Sequence, residues 1–149
     1  KEHPNYNDVK AIIDRREEIC KMNMPYLFYA CKGMYFNKRK MMSNNGKDHV
    51  ESLGYAPKHA MGAYRIMDFL VRYKHFIEMN MEHPFHLAIN YFEDKDKEEL
   101  LNIRRGIYSL DQIDAILETK YKRTLAACEE YYSTQKPNEE LKKIVKDNI

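Results

Sequence analysis

From Pro57 to Asn80 the chain reads PKHAMGAYRIMDFLVRYKHFIEMN, and its apolar residues return with the period of an α-helix. At about 100° per residue, Ala60, Ala63, Ile66, Met67, Leu70, Val71 and Ile77 share one broad face. A helix of that length with so wide an apolar face needs other elements to cover it. Punctuation elsewhere is sparse, with 5 Gly and 5 Pro in 149 residues, which favours long helices over a many-turned β fold.

The remaining segments repeat the pattern. Asn7 is placed to cap a helix running to about Met24, with Val9, Ile12, Ile13 and Ile19 on one side. Pro25 suits the first turn of a second helix, PYLFYACKGMYFNKRKMM, whose basic end (Lys38, Arg39, Lys40) complements the helix dipole. Its Tyr26, Phe28, Tyr29, Tyr35 and Phe36 cannot all turn inward on one stripe, so an exposed interaction surface is expected there. SNNGKD reads as a loop. HPFHLAINYF breaks the helical period and predicts a short extended segment near 86–92. Asp94 or Asp96 starts a fourth helix that stops at Gly106, a left-handed C′ residue. Ser109 with Gln112 forms a capping box for a fifth helix to about Tyr132, and a short charged helix follows Pro137. The expected fold is all-α: a single helical domain over residues 1–149, a bundle of five to six helices.

Composition narrows the function classes. A net charge of +2, the difference between 25 basic and 23 acidic groups, argues against bulk electrostatic binding to nucleic acid while leaving room for a local basic stripe. Cys20, Cys31 and Cys128 have no paired spacing, which argues for reduced, cytoplasmic thiols rather than disulfides or zinc. No apolar run approaches the ~18 residues that cross a bilayer, so no membrane partner is expected. The two histidines of HPFH lack a third ligand and read as ordinary polar residues.

The helix from Pro57 carries a second stripe. Lys58, Gly62, Arg65, Phe69 and Arg72 fall within about 80° of one another, opposite the apolar face. Three cations seven residues apart, with a glycine and an aromatic between them, suit close approach of a phosphate or nucleotide. The same pattern also coats a solvated helix face, with Asp68 partly neutralising it. His59 lies nearer the apolar side, where a half-buried histidine is the ordinary outcome.

GYAPKHAMGAYRIMDFL together with ELLNIRRGIYSLDQIDAILETKYKRTLAACEEYY resembles the C-terminal helical region of bacterial and phage nucleotidyltransferases of the DNA polymerase β superfamily, in the branch associated with RNA repair. That family carries a Gly-Tyr, then a Lys-His pair opening a helix with an arginine six residues after the histidine. Gly54, Tyr55, Lys58, His59 and Arg65 match it. An Ile-Arg-x-Gly-x-x-Ser/Thr segment follows in the family, matched by Ile103, Arg104, Gly106 and Ser109. FYACKGMYFNKRK looks like the family helix that precedes both, so the resemblance covers about residues 25–135. It implies nucleotide or phosphate contacts from Tyr55, Lys58, His59 and Arg65, to which the seven-residue spacing of the stripe adds Arg72, with a nucleoside triphosphate and RNA as ligands.

The family's catalytic half holds a Gly-Ser turn that cradles triphosphate and paired carboxylates that hold Mg²⁺ for in-line phosphoryl transfer. This sequence has no Gly-Ser. Its Asp94-Lys95-Asp96 follows no glycine turn and reads as capping at a helix N-terminus. No catalytic residue and no cofactor are therefore assigned to this chain. Mg²⁺ is expected only with the missing catalytic half, supplied as the rest of a longer protein or as an equivalent subunit. The first residue is Lys1 rather than methionine, in keeping with a piece of something longer. Two alternatives stay open: a stand-alone, non-catalytic helical binding module, and a protein-interaction domain, with a phage protein as one candidate source.

Overall fold

The computed structural model describes residues 21, 23–44 and 46–136, and its helices are α1 (Met24–Met42), α2 (Pro57–Glu78), α3 (Pro84–Asn90), α4 (Asp94–Arg104) and α5 (Leu110–Ser133). The described residues form a helical bundle whose only β pairing is an isolated antiparallel bridge between Val50 and Tyr55. The expected helices at residues 7–24 and beyond Pro137 lie outside the described residues, apart from the last few positions of the first.

Local signals account for the helix ends. The Asn23 side chain accepts from the Tyr26 amide at 3.1 Å and starts α1, with Pro25 in its first turn. Ser109 and Gln112 close the capping box of α5, each bonding the other's main-chain amide, at 3.2 and 2.9 Å. Gly106 lies beyond the end of α4 with φ +69°, a conformation that strains any residue with a Cβ.

Helix α2 is the axis of the bundle, packed against α1, α3, α4 and α5, while α1 also meets α5. Ala60, Ala63, Met67 and Leu70 are fully buried on it, as the period requires. The core is built largely from tyrosines, and each of several buried hydroxyls reaches a distant main-chain carbonyl. Tyr35 donates to Leu117 at 3.0 Å, Tyr55 to Tyr108 at 2.8 Å, and Tyr132 to Leu70. A ring so placed contributes apolar area without stranding a polar atom, and it ties two elements together. Phe28 stacks on Tyr132 at 5.5 Å between centroids, and Tyr35 on Tyr121 at 4.6 Å.

Two expectations are corrected. Residues 84–90 form helix α3 rather than an extended segment; only Tyr91 and Glu93 around Phe92 take β-type angles. Pro84 is compatible with the first turn of a helix, and a short apolar run does not distinguish strand from helix by period. Burial of Pro84 and Ala88 and the packing of α3 on α2 decide the matter. The carboxylates expected to cap α4 also separate. Glu93 is the N-cap residue and makes no side-chain cap bond, and Asp94 is exposed. Asp96 is buried, accepting from the Tyr64 hydroxyl at 2.9 Å. Both acids still lie in the first turn, where the dipole favours them.

Candidate functional site

An open groove of about 490 Å³ lies where α1 and α2 diverge and α3 closes one end. Its floor is apolar and aromatic, with Leu27 and Met34 from α1, Ile66 and Phe69 from α2, Phe85 and Ile89 from α3, and Phe92 beyond α3. Three cations line it: Lys38, in the last turns of α1, Arg65, on the exposed side of α2, and Arg72, buried and paired with Asp68. Lys38 and Arg65 make no ion pair among the described residues. Gly62 lets the first approach: a Cβ there would stand 3.1 Å from Lys38 Cδ and 3.2 Å from its Cε. Arg65 sits over the Phe92 ring at 5.8 Å.

Among the residues marked out by sequence, Lys58 and Arg65 are exposed on one side of α2. Lys58 Nζ lies 3.9 Å from Asp48, a weak surface pairing for a side chain 74% exposed. His59 is largely buried, its Nε2 3.8 Å from Asp48, as its place near the apolar face predicts. Its Nδ1 is buried without a hydrogen-bond partner among the described residues. Tyr55 is fully buried, holding the α1–α2 loop to the segment before α5.

Arg72 differs most from expectation. Instead of extending the exposed stripe, it is buried beneath Phe92, whose ring centroid lies 4.1 Å from its guanidinium. Its Nε donates to Asp68 at 2.6 Å, and its Nη1 to the carbonyls of Ala88 and, at 2.8 Å, Tyr91. Asp68 in turn accepts from Lys120 at 2.8 Å, and Lys120 stands 3.8 Å from Asp96. The chain Arg72–Asp68–Lys120–Asp96–Tyr64 alternates charge through the bundle centre, so each buried ion has a counter-ion. Helical angle places Arg72 on the outer side of α2; the return of α3 across that side makes it interior.

A larger cavity of about 620 Å³ between α2, α4 and α5 opens onto that network. Three cations (Lys95, Lys120 and Arg123) and two carboxylates (Asp96 and Glu99) line it, and Lys120 is already engaged by Asp68 and Asp96, so its walls carry both signs of charge. The smaller groove has no acid on its walls. It also offers no nucleophile or general base: burial pushes the Cys31 thiol up to about 11, so the group stays protonated. The arrangement can bind, holding an anionic group between Lys38 and Arg65 and an apolar or ring portion on Phe69 and Phe92.

Lys38, Phe85, Ile89 and Phe92 escaped sequence reasoning, because only the packing of α1 and α3 on α2 brings them to Arg65. The lone glycine on the α2 stripe was the available clue, since small residues mark close approach. Comparison with protein-family models, with curated proteins and with solved structures finds no match for this chain.

Proposed function

We propose that this domain binds a phosphate-bearing, ring-containing ligand, a nucleoside triphosphate or the end of an RNA, in the groove between α1, α2 and α3. The observation that carries the reading is the pair Lys38 and Arg65, cations without ionic partners among the described residues, set on an aromatic floor. Arg65 suits bidentate phosphate contact and Lys38 acts as a point charge, with Lys58 further along the same side of α2. Together with the resemblance carried by Gly54, Lys58, His59, Arg65 and the Ile103–Ser109 segment, this supports a helical, ligand-holding half of a nucleotidyltransferase. In that arrangement Mg²⁺ and the phosphoryl chemistry belong to a catalytic domain or subunit that packs on this one, in the cytoplasm. Among the described residues no helix is long and apolar enough to cross a membrane.

A protein-interaction role is the second reading, favoured by aromatic side chains left bare on α1. Titration of a nucleoside triphosphate and a short RNA against the chain and its Lys38→Ala and Arg65→Ala variants separates the two. Arg65→Ala should weaken binding by roughly 1–3 kcal/mol, the range for a charge-assisted hydrogen bond, with little change in melting. Binding equal to the parent's in both variants would refute the groove as the site.

A further inference from the structure

The groove between α1, α2 and α3 has an aromatic floor held in place by the fold. Phe69 and Phe85 meet edge to face at 5.7 Å between centroids. Phe92 rests 4.1 Å from the guanidinium of Arg72, which is buried and fixed by Asp68. Rings fixed in this way offer their faces to a flat ligand at little further cost in conformational freedom.

Bases differ in the donors and acceptors along their edges, and a site that tells them apart places matching polar groups there. Apart from Lys38, Arg65 and Arg72, every described side chain lining the groove is aliphatic, aromatic or sulfur-bearing, with Gly62 between them. Much of the main chain around it is committed as well. The lining residues of α1 and α2 lie within those helices, where amides and carbonyls bond along the axis. At the end of α3, where a helix leaves carbonyls without internal partners, Arg72 donates to those of Ala88 and Tyr91.

The three cations therefore divide by task. Arg72 is spent on Asp68 and on the two carbonyls, which leaves Lys38 and Arg65 to meet a ligand. Both suit phosphate, the part that every nucleotide shares. Stacking on the floor is also tolerant, because every base has a π-face.

We propose that this groove does not discriminate between bases: it takes nucleoside triphosphates as a class, by phosphate charge and ring area, with a modest advantage for purines. The inference rests on the reading of the groove as the ligand site and adds its specificity.

The test titrates the full chain, at one salt concentration, with ATP, GTP, CTP and UTP, and with inorganic triphosphate and adenosine. ATP and GTP should bind within about threefold of each other, and CTP and UTP no more than about tenfold more weakly. Inorganic triphosphate and adenosine should each bind at least about tenfold more weakly than ATP, since each lacks the ring or the charge. Lys38→Ala should weaken all four nucleotides by one common factor and leave their order unchanged. A preference above about tenfold between ATP and GTP, or for a pyrimidine over both, would overturn the proposal while leaving the groove a nucleotide site. A guanine preference lost in Arg65→Ala would assign that arginine to the base edge instead of the phosphate. Inorganic triphosphate binding as tightly as ATP would also overturn it, because the ring would then contribute nothing. Absence of binding by all six ligands would instead refute the ligand-site reading itself, and this inference with it.

Discussion

Replacing Arg72 by alanine removes the guanidinium from the centre of the bundle, and the structure sets the scale of the loss. Asp68, its side chain 3% exposed, would lose a charge-assisted bond of 2.6 Å and keep only Lys120 at 2.8 Å. The carbonyls of Ala88 and Tyr91 would lose their donor, and Phe92 the cation 4.1 Å from its centroid. Removing one member of a buried pair costs about 3–5 kcal/mol, and the retained Lys120 brings the figure to about 3–4 kcal/mol. With a urea slope near 2 kcal/mol/M, the unfolding midpoint should fall by roughly 1.5–2 M, followed by circular dichroism. Arg72→Lys should recover little, since one ammonium cannot reach the carboxylate and both carbonyls in the fork geometry of arginine. Arg65→Ala, on the exposed side of the same helix, should stay within about 0.5 kcal/mol of the parent. An Arg72→Ala variant within about 1 kcal/mol of the parent, yet impaired in nucleotide binding, would refute this reasoning and return Arg72 to the ligand-facing stripe.

Gly106→Ala forces a Cβ into a left-handed backbone and to within 2.7 Å of Leu53 Cδ1. It should cost about 1–2 kcal/mol or more in the same denaturation assay, and a neutral effect would show that the α4–α5 corner relaxes freely. Alkaline pH should destabilise the fold. Burial raises the thiols of Cys31 and Cys128 from 9.0 to about 11 and raises the buried tyrosine hydroxyls above their ordinary 10.0. The folded state then holds protons that the unfolded state releases. Stability should be full below about pH 9 and fall as pH rises through 11, with tyrosinate absorbance and loss of helix appearing together. Titration of all tyrosines without unfolding would contradict the burial of these rings.

The helices of this chain are largely legible in the sequence, because their signals are local. Periodicity locates α1, α2, α4 and α5, and the capping box at Ser109 and the left-handed stop at Gly106 mark two boundaries to the residue. The surplus of aromatics on α1 is legible too, since counting rings against one inward stripe is arithmetic on a single helix; Tyr26, Tyr29 and Phe36 do face outward. What a helix meets is not local. The same 100° rule that groups Arg72 with Lys58 and Arg65 has no knowledge of α3, which folds back over the outer turns of α2 and makes one end of that stripe interior. Tyr55 is drawn into the core by a carbonyl far along the chain at Tyr108, and Asp96 leaves its capping position for Tyr64 and Lys120. Lys38 comes to Arg65 only through the crossing of two helices at Gly62. Burial and charge pairing depend on contacts between residues distant in sequence, and those contacts exist only after the helices have packed.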